Sequence, residues 1–134
     1  MASILLIDDD KDVRETLGRS LSHAGHDLDF AENGAVGLRR MKAQCPDLLI
    51  CDILMPDKEG IETILEIRAS DTETAIIAIS GGGNYISAEQ GFLDDILESA
   101  ELFGANYTLR KPFRPRELLD LVERAVQRDD EKSG

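Results

Sequence analysis

Five short apolar runs alternate along the 134 residues with five longer stretches of helical periodicity. The runs lie at residues 3–7, 27–31, 48–51, 75–79 and 106–110. Three of them, Ile4-Leu5-Leu6-Ile7, Leu48-Leu49-Ile50-Cys51 and Ala75-Ile76-Ile77-Ala78-Ile79, are apolar without interruption, as strands buried on both faces are. In the run at 27–31, Leu28 and Phe30 alternate with acids, the pattern of a less buried strand. Helical spacing fills the gaps. Val13, Leu17 and Leu21 recur every four residues over 12–24, and Gly25 closes that helix. Asn33 can cap a helix running to residue 43, and Ile61, Ile64, Leu65 and Ile67 mark a third. Phe92, Leu93, Ile96, Leu97, Ala100 and Phe103 mark a fourth, ended by Gly104, and Pro115 opens the last. Strict alternation of this kind predicts an α/β fold: one doubly wound, five-stranded parallel sheet with right-handed crossovers and helices on both faces.

The chain is long enough for one domain with a buried core. Acids outnumber bases 27 to 15, a net charge of −12. Such a chain has no electrostatic footprint for nucleic acid and is repelled by anionic membrane surfaces. No apolar run approaches the roughly 20 residues that span a bilayer, and the start has no basic segment of the export type. Cys45 and Cys51 are not spaced as a redox pair, and with His23 and His26 they form no zinc pattern. Both are expected to be reduced thiols in a cytoplasmic protein. The reading is residues 1–128 as the domain and 129–134 as a charged, disordered tail. The tail and the start at Met1 favour a stand-alone protein.

A doubly wound sheet binds ligands beyond the carboxyl ends of its strands, so the chemistry should lie in the residues found there. The first strand ends in Asp8-Asp9-Asp10, the third in Asp52, the fourth in Ser80-Gly81 and the fifth in Lys111-Pro112. In a parallel sheet these converge on one edge. Crowded carboxylates raise one another's pKa unless a cation intervenes, and a hard divalent ion with oxygen ligands, Mg²⁺ above all, answers that need. A hydroxyl and an ammonium beside them suit the oxygens of a phosphoryl group. Singly, each residue has a plainer role. Asp10 or Asp12 can cap the first helix, with Asp12 and Glu15 spaced as a capping box; Ser80 can be a turn residue and Lys111 a solvated one. Their joint position at the ends of four strands is what singles them out. The run Gly81-Gly82-Gly83 fits neither glycine-rich nucleotide motif and reads as loop.

On these residues the chain resembles a response regulator receiver domain, the phosphorylatable module of two-component signalling. The resemblance covers residues 3–127 and rests on Ile4 to Asp9, Asp52-Ile53-Leu54-Met55-Pro56 with Gly60, Ser80-Gly81, Gly104-Ala105 and Lys111-Pro112-Phe113. It implies the flavodoxin-like strand order 2-1-3-4-5. It implies that Asp52 is the phospho-acceptor, and that Asp8, Asp9, Asp52 and the Leu54 carbonyl hold Mg²⁺ or Mn²⁺. Ser80 would bond a phosphoryl oxygen, Lys111 would pair with Asp52 and then with its phosphoryl group, and a cis peptide bond would precede Pro112. The donor would be a sensor histidine kinase or phosphotransfer protein, and output would pass to a downstream protein by contact or relay. Such a module is not an enzyme; it promotes only its own phosphorylation and dephosphorylation.

Two departures from the family touch the switch. The family places an aromatic residue three positions before the lysine, where this chain has Thr108; Tyr107 lies one place earlier, on the opposite face of a strand. The segment from Ser80 to Gly104 is also longer than usual, with the excess at 81–91. Two other functions compete. Asp8-Asp9-Asp10 can be read as the D-x-D of a haloacid dehalogenase-like phosphatase, but the following positions do not complete that motif and nothing in it explains Asp52-x-x-Met55-Pro56. A pseudo-receiver that works without phosphorylation does not need the intact set Asp8, Asp9, Asp52, Ser80 and Lys111.

Overall fold

The computed structural model describes residues 2–53, 59–71, 73–80, 100–101, 103–111 and 113–133. Within them the strands are β1 (Ser3–Ile7), β2 (Asp27–Ala31), β3 (Leu48–Asp52), β4 (Ala75–Ser80) and β5 (Tyr107–Arg110). The helices are α1 (Lys11–His23), α2 (Gly34–Ala43), α3 (Glu59–Ser70) and α4 (Pro115–Ser133). Residues 100, 101 and 103, before β5, are helical too. The strands form one parallel sheet in the order β2-β1-β3-β4-β5. The three uninterrupted apolar runs are its three central strands, buried on both faces.

Strand alternation sorts the core into two halves. Leu5, Ile7, Leu49, Cys51, Ile76 and Ala78 pack with Ile64 and Ile67 of α3 and, more peripherally, Val36, Leu38 and Met41 of α2. Their neighbours in the strands, Ile4, Leu6, Leu48, Ile50, Ile77 and Ile79, pack with Leu17 and Leu21 of α1 and Leu118, Val122 and Ala125 of α4. Among the described residues, α2, α3 and the helical residue Ala100 therefore cover one face, and α1 and α4 the other.

The helix ends follow from their residues, with one correction. Asp10 is the N-cap of α1, its carboxylate accepting from the N–H groups of Asp12 and Val13. Asp12 thus sits inside the first turn and the Asp12–Glu15 capping box does not form, because the cap that satisfies the free N–H groups lies two residues earlier. Gly25, at φ 98°, ends α1, and Asn33 caps α2 by accepting from Val36 N–H at 2.9 Å. The last helix, α4, runs to Ser133. The run from Val126 to Ser133 contains no glycine or proline and is rich in Arg, Gln, Glu and Lys, which propagate a helix readily.

Candidate functional site

The site lies where β1, β3, β4 and β5 end together. Asp8 follows the last paired residue of β1, and its N–H donates to the Ala31 carbonyl at 3.1 Å. Asp52 ends β3 and pairs in register with Ile79. Ser80 ends β4, and its carbonyl accepts from the Lys111 N–H at 2.7 Å. That bond sets the start of the β5–α4 connection beside the carboxylates. Asp8, Asp9 and Asp52 each offer a carboxylate oxygen, and these lie within 4.8 Å of one another. Lys111 Nζ donates to Asp52 Oδ2 at 3.3 Å and to Asp8 Oδ2 at 3.5 Å. Asp8 and Asp52 are buried, Asp9 is exposed, and the Lys111 side chain is only 17% exposed.

This packing of charge has an electrostatic consequence. Burial, and then the charge of Asp52, push the Asp8 carboxyl up to about 6, against the opposing pull of the Asp10 N–H and of Lys111. Burial alone would lower the Lys111 ammonium, but the charges of Asp52 and Asp8 outweigh it and raise the pKa. One partly buried cation is shared between two buried carboxylates, with a third carboxylate at the rim, so the cluster has negative charge to spare.

Ser80 is fully buried, and among the described residues its Oγ has no hydrogen-bond partner. A buried hydroxyl without a partner is uncommon, and here it stands at the same edge as the carboxylates. Gly60, in the first turn of α3, explains how that helix approaches so closely. A Cβ there would fall 2.6 Å from the Asp52 carbonyl oxygen and against the Ile53 backbone, so only glycine fits behind the carboxylate.

The structure brings together Asp8, Asp9, Asp52, Ser80 and Lys111. Thr108 lies elsewhere: it pairs with Ala78, and its Oγ1 donates to Glu101 Oε1 at 3.2 Å. Tyr107 packs on the other face with the α1–α4 half of the core, as the one-residue offset requires. Leu54 and Pro112, and with them the carbonyl ligand and the cis bond, lie outside the described residues, as does the long segment at 81–91. Asp10 is committed as the α1 cap, which removes the second acid from the D-x-D reading. Sequence reasoning passed over two residues. Arg14 Nη1 donates to the Asp8 carbonyl at 2.6 Å. Arg68 spans from α3 to Gly104 O at 2.9 Å and Asn106 Oδ1 at 3.0 Å. The spacing Asp8-x₅-Arg14 is the only trace of the first in the sequence.

Comparison with known proteins identifies the family. The family model described as response regulator receiver domain matches residues 4–123. The response regulator MprA of Mycobacterium ulcerans (strain Agy99) is 33% identical over 132 residues, covering 96% of this chain and 53% of that protein. The chain thus spans about half the length of the curated relatives it matches. A response regulator receiver domain protein from Clostridium thermocellum superposes with a TM-score of 0.84 at 28% identity, covering 97% of this chain and 98% of that one. The receiver domain of NtrX from Brucella abortus gives 0.78 at 28% identity, covering 92% and 98%. With the family model spanning Ile4 to Glu123 and the acidic edge assembled as described, the chain belongs to the response regulator receiver domain family of two-component signalling.

Proposed function

We propose that this receiver takes a phosphoryl group on Asp52 from the phosphohistidine of a sensor histidine kinase or phosphotransfer protein in the cytoplasm. The signal then passes on by contact with a downstream protein or by onward relay. In the transfer an Asp52 carboxylate oxygen attacks phosphorus in line. The new P–O bond forms as the P–N bond breaks, and the imidazole leaves with its electron pair. The observation that carries this reading is the convergence of Asp52 with a shared ammonium at 3.3 Å and a buried hydroxyl that has no hydrogen-bond partner among the described residues.

Each residue has a role in that step. Lys111 keeps Asp52 oriented before transfer and moves its charge to a phosphoryl oxygen afterwards. Ser80 Oγ donates to a second phosphoryl oxygen. Asp8 and Asp9, with Asp52, form a donor set of carboxylate oxygens within 4.8 Å, which suits a hard divalent cation such as Mg²⁺ or Mn²⁺. Bound there, the cation would neutralise charge on the carboxylates and on the incoming phosphoryl group. Incubation with acetyl phosphate tests the reading: phosphoryl mass should be taken up with Mg²⁺ and not in EDTA. Uptake that is equal in EDTA contradicts the site.

A further inference from the structure

We propose that Arg14 is a positioning residue for the metal-binding acids, acting through the peptide between Asp8 and Asp9. The proposal rests on the reading of Asp8, Asp9 and Asp52 as a cation site. Pairing of β1 with both neighbours ends at Ile7, against Ala31 and Cys51. Beyond that point the Asp8 N–H still reaches the Ala31 carbonyl, but the Asp8 carbonyl has left the ladder. Asp8 is only 1% exposed, so its carbonyl has little access to water and needs a donor from within the protein. Arg14 Nη1, from the second turn of α1, supplies it at 2.6 Å.

That bond fixes the plane of the peptide that joins the two acids. Asp8 is tied a second way, its Oδ1 accepting from the Asp10 N–H at 2.9 Å, and Asp10 in turn caps α1. The β1–α1 turn is therefore held at three points, and Arg14 is the only one of the three that reaches back from the body of the helix. Asp9 has no such restraint of its own among the described residues, and it is exposed. Its direction toward Asp8 and Asp52 depends on the peptide that Arg14 holds. Arg14 makes no ion pair among the described residues with Asp8, Asp9 or Asp52, and it is not among the charges that shift the Asp8 carboxyl. Its role in the site is geometric and not that of a counter-ion. Partners that orient ligand groups in this indirect way typically set metal affinity by 10–100-fold.

The test is calorimetric titration of Mg²⁺ into the wild type, Arg14→Gln and Arg14→Lys, with thermal melts of each. Phosphorylation by acetyl phosphate is then followed as Mg²⁺ is raised. Arg14→Gln should weaken Mg²⁺ binding by about 10-fold. Its phosphorylation rate at saturating Mg²⁺ should return close to that of the wild type. Arg14→Lys keeps one donor for the carbonyl and should fall between the two. Three results overturn the proposal: unchanged Mg²⁺ affinity in a folded Arg14→Gln, a lower melting temperature with no change in affinity, or a lowered rate at saturating Mg²⁺ with affinity intact. A wild type that does not bind Mg²⁺ overturns the cation site itself, and the proposal with it.

Discussion

Replacing Asp8 by asparagine should make the metal-free protein more stable at neutral and alkaline pH. The Asp8 carboxyl is 1% exposed, and burial followed by the Asp52 charge raises it from an ordinary 3.8 to about 6. Keeping it ionised in the folded state therefore costs ~3 kcal/mol relative to the unfolded chain. The sign follows from proton binding. Between pH 3.8 and about 6 the folded state holds more protons than the unfolded state, so stability falls as pH rises through that window. The full penalty is present above about pH 7 and absent below the unfolded value. Asparagine removes the charge and keeps an oxygen that can accept from the Asp10 N–H, a bond of 2.9 Å in the wild type. Lys111 retains Asp52 as its partner at 3.3 Å. Some of the gain is offset by burying a neutral amide, which leaves on the order of 1–3 kcal/mol. For a domain of this size that raises the melting temperature by roughly 4–12 °C. Calorimetric melts in EDTA at pH 8 and pH 5 provide the assay. The variant should melt higher at pH 8, with the difference shrinking at pH 5, and saturating Mg²⁺ should close the gap by stabilising the wild type more. A variant that melts lower than wild type at pH 8, or a difference independent of pH, refutes the reasoning.

Removing the ammonium should act in the opposite direction. Lys111→Met leaves Asp8 and Asp52 buried without their shared cation, and should destabilise the metal-free protein by about 3–5 kcal/mol at pH 8 and by less at pH 5, where Asp8 takes up a proton. Urea titrations at the two pH values read this directly. Gly60→Ala drives a methyl group toward the Asp52 carbonyl and the Ile53 backbone. It should cost about 1–3 kcal/mol and slow phosphoryl uptake, because relief of the clash must move the strand end that carries Asp52.

How much could be read from the sequence depended on whether a residue's role is local or long-range. Ile4 to Ile7, Leu48 to Cys51 and Ala75 to Ile79 announce central strands because burial on both faces leaves no polar position. Asp8, Asp52, Ser80 and Lys111 stood out because a parallel sheet carries every strand end to one edge. The choice between Asp10 and Asp12 as cap was not legible, since both have the right chemistry and only the start of α1 at Lys11 decides it. Arg14 and Arg68 were invisible for a different reason. Both satisfy backbone carbonyls that have run out of regular partners, Asp8 at a strand end and Gly104 at a helix end, and no periodicity marks such a bond. The Thr108–Glu101 contact is of the same kind: the offset from Tyr107 predicts which face Thr108 occupies, and not what it meets there.

Locating the phosphoryl group tests the central claim most directly. After incubation with Mg²⁺ and acetyl phosphate, borohydride reduction of the acyl phosphate and peptide mass spectrometry should find homoserine at position 52. The label should be absent in Asp52→Asn, whose amide cannot serve as the nucleophile. Label on another residue, or undiminished uptake by Asp52→Asn, would contradict the account.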